Sequence, residues 1–177
     1  HARTRQSPGS IIQKSIAALE NALWDIKGKS LNLPVNELFG GPLRDKIDLY
    51  WSHCGTSRVR AAKLVNKPPI CKLDDLKPFC EEIINSGFKS IKTNIAIFRD
   101  QPFIYMPGFA KSTGWPELDI SEEIIKDTVS WISKFRDLLG NEYKIALDLN
   151  FNFKNEGYIK IANSLEKYNL SWVEIDS

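Results

Sequence analysis

The sequence predicts an α/β protein in which parallel strands alternate with covering helices, and three observations support this. Short apolar runs typical of buried strands alternate with longer segments whose apolar residues recur at helical spacing. Glycines stand where three predicted helices end, at Gly28, Gly87 and Gly140. The turns between these elements are short, which favours strands joined by crossover helices.

The first part of the chain predicts one helix, a connector and one strand. Residues 11–27 carry apolar side chains at helical spacing, namely Ile12, Ile16, Leu19, Leu23 and Ile26. A turn-rich connector follows, from Leu33-Pro34 to Gly40-Gly41-Pro42. The segment 46–52 then alternates as a strand does, with Ile47, Leu49 and Trp51 on one face.

The remainder predicts alternating helices and strands. The predicted helices span 74–86, 120–139 and 156–168, and the predicted strands span 88–94, 143–149 and 171–175. Asp119 is the predicted N-cap of the second of these helices, with Glu122 at the capping-box position. A long segment, roughly 95–120, is rich in aromatic residues, proline and glycine and carries no predicted element.

Two architectures fit this alternation: an open doubly wound sheet and a (β/α)₈ barrel. No Gly-x-Gly-x-x-Gly follows a predicted strand, which argues against a dinucleotide site. A full barrel takes about 250 residues, so the stretch after the leading helix suffices for roughly four βα units.

Composition narrows the class of function. The formal net charge of +2 is spread along the chain, so charge gives no support for nucleic-acid binding. No apolar run approaches the ~20 residues of a membrane span, and no signal peptide is visible. The three cysteines, Cys54, Cys71 and Cys80, fit no zinc spacing and predict reduced thiols in a cytoplasmic protein. Because the chain starts at His1 and its one methionine is Met106, we expect it to be part of a longer or processed product.

Polar residues follow the predicted strands, where parallel α/β folds place their active groups. They are His53 and Cys54, Lys92 and Asn94, Asp148 and Asn150, and Glu174 and Asp176. Because adjacent parallel strands lie about 4.8 Å apart, carboxylates at the ends of two neighbours can share one hard cation such as Mg²⁺. Spacing alone leaves open that Asp148 and Glu174 are helix caps or solvated loop residues.

Several segments together resemble one known family, the mandelate racemase and muconate lactonising branch of the enolase superfamily. They are Ala18–Lys29, Pro34-Val35, Leu38–Asp45, Gly87–Thr93, Asp148-Leu149-Asn150 and Trp172-Val173-Glu174, in an order and spacing that also fit. The resemblance implies a partial (β/α)₈ barrel, about its first four βα units, at 46–177. It also implies that 1–45 is a helix and connector at the junction with a capping domain.

The resemblance implies a Mg²⁺ site and removal of the proton α to a substrate carboxylate. Asp148 and Glu174 match two of three metal ligands, and the third is expected beyond Ser177. Lys92 matches the first lysine of a Lys-x-Lys pair that supports the substrate carboxylate, while Asn94 replaces the second lysine, which is the base in racemases. Because Asn cannot accept a proton, the resemblance favours a sugar-acid dehydratase.

The remaining expectations concern substrate contacts, partners and alternatives. Asn94, Asn150 and His53 are predicted to bind substrate, and Tyr105 in the long aromatic segment is a candidate donor or base, with packing as the other interpretation. The expected partners are a small-molecule sugar acid and further copies of the full-length protein. A racemase or epimerase, or a catalytically silent half-barrel acting through partner chains, are the alternatives. We predict that the strands near 46–52, 88–94, 143–149 and 171–175 are parallel and adjacent in that order, with helices on the outside.

Overall fold

The computed structural model describes residues 10–109 and 120–176, and the chain divides into two units, His1–Asp48 and Leu49–Ser177. The first unit contains helix α1 at Ser10–Leu31 and the short helix α2 at Val35–Leu38. In chain order the second unit contains α3 at Thr56–Arg60, α4 at Leu76–Asn85, β1 at Ser90–Asn94, β2 at Ala96–Phe98, β3 at Pro102–Ile104, α5 at Glu122–Leu139, β4 at Lys144–Asp148, α6 at Asn155–Leu165 and β5 at Trp172–Glu174.

In the first unit, α1 does not end at Gly28 as predicted but continues to Leu31. The left-handed residue is Asn32, with a φ of 52°, which is a conformation that Asn tolerates better than most residues. Gly28 is needed for a different reason. A Cβ there would lie 2.9 Å from the Leu33 carbonyl oxygen, so its missing side chain lets the chain fold back towards α2.

The second unit is built on a three-stranded sheet in the order β1–β4–β5, and both pairings are parallel. This confirms the predicted arrangement of the last three strands. Strand β4 sits at the centre and is buried from Ile145 to Asp148, as expected for the central strand of a parallel sheet. Helices α4, α5 and α6 pack side by side along the sheet.

The apolar core lies between the sheet and these helices. Ile91 of β1 and Ile145 and Leu147 of β4 are fully buried, as are Trp131 and Ile132 of α5. The Trp131 indole also donates a 3.3 Å hydrogen bond to Oγ1 of Thr93. Because side chains alternate along a strand, Lys92, Asn94 and Asp148 occupy the opposite face from these core residues.

Arg136 joins the two turns that lead into β4 and β5. Its guanidinium group donates hydrogen bonds of 2.8–3.1 Å to the backbone carbonyl oxygens of Gly140, Tyr143, Tyr168 and Asn169. Burial lowers the pKa of this arginine, so its cationic form is held there against a desolvation cost. The contact fixes the starting points of two neighbouring strands and thereby supports their register.

The predicted strand at 46–52 is wrong as an extended element. Only Trp51 pairs, through one parallel bridge to Ile91, with hydrogen bonds from the Trp51 amide to Ser90 and from the Lys92 amide to Trp51. The alternating apolar side chains Ile47 and Leu49 are 74% and 70% exposed. The pattern that predicted a strand therefore lacks a buried face among the described residues.

Two predictions about the long segment and the following helix also need correction. The segment 95–120 is not devoid of elements, because β2 and β3 form an antiparallel hairpin in which Ile97 and Ile104 are buried. Helix α5 is capped by Ser121, whose hydroxyl accepts a hydrogen bond from the Ile124 amide. The predicted cap Asp119 lies outside the described residues. In the part of the chain that the structure describes, no helix is long and apolar enough to cross a membrane.

Replacing a fully buried isoleucine should destabilise the second unit far more than replacing an exposed one. We expect Ile132→Ala to lower the free energy of unfolding by about 2–5 kcal/mol, because it leaves a cavity between α5 and the sheet. The matched control Ile159→Ala, on α6 and 59% exposed, should change it by less than about 0.5 kcal/mol. Urea denaturation measures both, and equal effects would contradict the packing described.

Candidate active site

Three polar side chains stand in a row at the carboxyl ends of the three parallel strands. Asn94 of β1 is the register partner of Asp148 of β4, and Asp148 is the register partner of Glu174 of β5. All three therefore occupy the same height on neighbouring strands and the same face of the sheet. The structure thus brings the two predicted metal ligands together with a predicted substrate-binding residue.

Lys92 bridges the two carboxylates of this row. Its Nζ lies 2.8 Å from Oε2 of Glu174 and 3.3 Å from Oδ2 of Asp148. The side chains of Lys92 and Asp148 are only 8% and 7% exposed, whereas that of Glu174 is 35% exposed. One buried cation is thus shared by two anions, one of which remains accessible to solvent.

The protonation states in this cluster follow from that ion pairing. Burial by itself lowers the pKa of Lys92, but the hydrogen bond to Glu174 and the charge of Asp148 outweigh it and raise the pKa. The hydrogen bond from Lys92 is also the main reason that the pKa of Glu174 is lowered. Lys92 is therefore held as an ammonium ion and cannot accept a proton while both carboxylates face it.

Asn94 is enclosed by protein partners. Its Oδ1 lies 2.9 Å from Nδ1 of His53 and accepts a 3.0 Å hydrogen bond from the Thr56 hydroxyl. Its Nδ2 donates to the backbone carbonyl oxygen of Asp148 at 3.4 Å. The structure therefore joins the predicted residues His53 and Asn94 directly and connects both to the strand end that carries Asp148.

Asn150 is held immediately beyond Asp148 in a left-handed conformation, with a φ of 50°. Its amide donates a 2.9 Å hydrogen bond to Oδ1 of Asp148, and its carbonyl oxygen accepts one from the Tyr158 hydroxyl at 3.0 Å. Its buried Nδ2 has no hydrogen-bond partner within residues 10–109 and 120–176. A donor of this kind is available to a ligand oxygen, and the substrate contact of Asn150 stays a prediction.

Tyr105 lies in the core. Its ring stacks on that of Phe153 at a centroid distance of 5.7 Å, and its carbonyl oxygen accepts a hydrogen bond from Asn152. The residue is 7% exposed. This placement is the packing arrangement that the sequence left as the other interpretation of this tyrosine.

Two residues of the site escaped the sequence analysis. Thr56 follows the strand-like segment by several residues, and its contact with Asn94 arises only because the chain turns at His53 and Gly55, which have φ values of 50° and 82°. The Tyr50 ring lies 5.8 Å from Nζ of Lys92 as a cation–π partner. Neither contact leaves a periodic signal in the sequence.

The metal-binding capacity of the described residues is incomplete. Asp148 and Glu174 offer oxygen ligands of the kind that Mg²⁺ prefers. Across residues 10–109 and 120–176, however, no group of three or more His, Cys, Asp or Glu side chains is placed to hold an ion. The pair alone supplies part of a coordination shell.

Several known proteins are similar to this chain in sequence. The family model for the N-terminal domain of mandelate racemase and muconate lactonizing enzymes matches residues 3–40. A D-galactonate dehydratase family member from Enterococcus gallinarum is 25% identical over 167 residues, which are 94% of this chain and 37% of that protein. One from Catenulispora acidiphila is 24% identical over 172 residues, which are 94% of this chain and 36% of that protein.

Several solved structures have a fold similar to that of this chain. A protein provisionally named an L-alanine-DL-glutamate epimerase, from Burkholderia xenovorans, is 41% identical with a TM-score of 0.86, covering 99% of this chain and 44% of that one. A second structure with that name, 42% identical, is bound to magnesium and fumarate. A provisionally named dehydratase from Mesorhizobium loti is 24% identical with a TM-score of 0.70, and the match covers 98% of this chain and 39% of that one. At this identity the similarity supports the fold alone.

The resemblance to the mandelate racemase and muconate lactonizing branch of the enolase superfamily is thereby confirmed. The fold is α/β with a parallel sheet, as predicted. The chain spans a little over a third of the length of the curated relatives it matches, at 36–37%.

Removing the Lys92 ammonium group should raise the pKa of Glu174. Lys92→Met deletes the hydrogen bond that lowers this pKa and leaves Glu174 next to the negative charge of Asp148. A ¹³C NMR titration of the Glu174 carboxyl, assigned with Glu174→Gln, measures the shift. The control Lys89→Met removes a lysine that contacts Tyr143 instead and should leave the Glu174 pKa unchanged. An unaltered pKa in Lys92→Met would contradict the bridging geometry.

Proposed function

We propose that this chain supplies the first part of a (β/α)₈ barrel and part of the active site of a Mg²⁺-dependent enzyme. In this proposal the enzyme removes the proton α to a carboxylate and dehydrates a sugar acid. The observation that carries the proposal is the cluster of Lys92, Asp148 and Glu174 at the carboxyl ends of adjacent parallel strands. Active groups of (β/α)₈ barrels are built at that end of the strands.

The donor set fits a divalent cation. Two carboxylates at one height on neighbouring strands already attract a cation, since the Lys92 ammonium group lies within 3.3 Å of both. Asp148 and Glu174 would hold Mg²⁺ together with ligands from other parts of the protein or from water. When bound, the ion would supply positive charge for the carboxylate oxygens that become an enediolate.

The chain's own residues contribute binding and charge in this scheme. Lys92 remains cationic because of its two partners, so it supplies a positive charge for a substrate carboxylate. The unpartnered Nδ2 of Asn150 offers a hydrogen bond to a substrate oxygen near Asp148. Dehydration removes the α-proton and the β-hydroxyl group as water, and the resulting enol rearranges to a 2-keto-3-deoxy acid.

The assignment to a dehydratase is supported by Asn94 and by the names of the curated relatives. Asn94 has no ionisable group and is enclosed by His53, Thr56 and the Asp148 backbone, so it offers no base for exchange on a second face. Both curated relatives carry the name of the D-galactonate dehydratase family. An epimerase is the second candidate, because the similar structures from Burkholderia xenovorans carry that provisional name.

Mg²⁺ binding to the gene product that contains this chain should depend on both carboxylates. Asp148→Asn and Glu174→Gln each replace an anionic ligand with a neutral amide, so titration calorimetry should show binding lost or strongly weakened. Asp137→Asn, an exposed position on α5, is the matched control and should leave the affinity unchanged. Undiminished affinity in Asp148→Asn would contradict the metal assignment.

Catalysis should depend on Lys92 and give a dehydrated product. The gene product is incubated in D₂O with Mg²⁺ and a panel of aldonic acids that begins with D-galactonate. NMR then follows deuterium at the α-position and the 2-keto-3-deoxy product. We expect Lys92→Ala to lower turnover greatly, because the enediolate loses a buried cation, and Lys89→Ala to have little effect. Interconversion of C2 epimers without loss of water would favour the epimerase instead.

A further inference from the structure

His53 occupies an unusual backbone position beside the carboxylate cluster. It has a φ of 50°, a left-handed conformation that few non-glycine residues adopt and that often occurs at functional sites. The flanking residues are fixed by β1, because the Lys92 amide donates to the Trp51 carbonyl oxygen and the Cys54 amide donates to that of Lys92. The strained turn therefore holds the imidazole of the exposed residue His53 next to the side chain of Asn94.

The orientation of the Asn94 amide determines which nitrogen of His53 carries a proton. One end of that amide faces the backbone carbonyl oxygen of Asp148, which can only accept, so this end must be the NH₂ group. The other end is then Oδ1, which accepts from the Thr56 hydroxyl at 3.0 Å and faces Nδ1 of His53 at 2.9 Å. Two acceptors cannot share a hydrogen bond, so Nδ1 of His53 is the protonated nitrogen.

The other imidazole nitrogen is consequently a lone-pair acceptor. In a neutral imidazole with Nδ1 protonated, Nε2 carries no hydrogen. Within the described ranges Nε2 makes no hydrogen bond, and His53 is exposed.

The ionisable groups of the cluster leave one candidate for a proton acceptor. Lys92 forms ion pairs with Asp148 and Glu174, and these two carboxylates bind Lys92 and, in the proposal, the cation. Asn94 has no ionisable group. Among the described residues that meet in this cluster, His53 alone combines a titratable group with an uncommitted lone pair.

We propose that His53 is a catalytic residue that accepts the α-proton through Nε2, with Asn94 and Thr56 as positioning residues that fix its tautomer. This inference rests on the proposed function, since it assigns the base for that reaction. In the step the substrate Cα–H bond breaks and an Nε2–H bond forms. The electron pair of the broken bond remains on the substrate as the enediolate, and the imidazolium keeps its Nδ1–H hydrogen bond to Asn94.

The tautomer can be measured without any substrate. Long-range ¹H–¹⁵N NMR of the ¹⁵N-labelled gene product, at a pH where the ring is neutral, distinguishes a protonated Nδ1 from a protonated Nε2. Subtraction of the His53→Gln spectrum assigns the signals. We expect the Nδ1-protonated form in the wild type and in Asn94→Asp, whose carboxylate still accepts, and its loss in Asn94→Leu. A wild-type His53 ring protonated on Nε2 instead of Nδ1 would overturn the proposal, whatever the variants show.

Proton transfer is tested by α-deuterium exchange into the aldonic acids used above. We expect His53→Gln to lower the exchange rate by about 10²–10⁴-fold, the usual contribution of a general base, with Mg²⁺ affinity retained. Asn94→Leu should lower the rate in proportion to the tautomer it loses, and Asn94→Asp should restore part of it. Exchange that persists at the wild-type rate in His53→Gln would overturn this inference alone. Absence of both α-deuterium exchange and dehydration in the wild type would overturn the proposed function and the role that rests on it.

Discussion

The contact of Lys92 with Asp148 and Glu174 is the interaction on which the rest of this site depends. Burying an ammonium group and a carboxylate at 8% and 7% exposure is costly unless each is compensated. The geometry meets that requirement with two anions for one cation and with an additional backbone donor, the Asn150 amide, on Asp148. Glu174, at 35% exposure, is the more accessible of the two carboxylates to solvent. The stability of the fold and the proposed chemistry therefore both require these three side chains to stay in contact.

That contact requires an exact strand register. A shift of β5 by one residue against β4 would turn Glu174 to the other face of the sheet and separate it from Lys92. Arg136 opposes such a shift because it binds backbone carbonyl oxygens in the turns that precede both strands. The apolar face of the sheet, packed on Trp131 and Ile132, fixes which side chains remain for the polar face. A half-buried arginine at one end of the strands thus supports an ion cluster at the other end.

The sequence predicted the parallel order of β1, β4 and β5 because their apolar runs are short and alternate with longer segments of helical periodicity. Together with the family resemblance, it predicted that Asp148 and Glu174 meet, since both end neighbouring strands. It could not predict the loss of the strand at 46–52, because alternation at Ile47 and Leu49 does not reveal whether a partner layer exists. Nor could it predict the hydrogen bonds among His53, Thr56 and Asn94, which arise from two left-handed residues in one turn and carry no periodicity. Tertiary contacts between distant polar residues are the part that pattern alone leaves undetermined.

We propose that Asp148 and Glu174 form one cation site beside the Lys92 ammonium group. A crystal structure of the gene product that contains this chain, grown with Mn²⁺ in place of Mg²⁺, tests this most directly through the anomalous signal of the metal. The account predicts one strong anomalous peak within coordination distance of carboxylate oxygens from both residues, with Lys92 remaining beside them. A peak elsewhere in the protein, with Asp148 and Glu174 still bound only to Lys92, would contradict it.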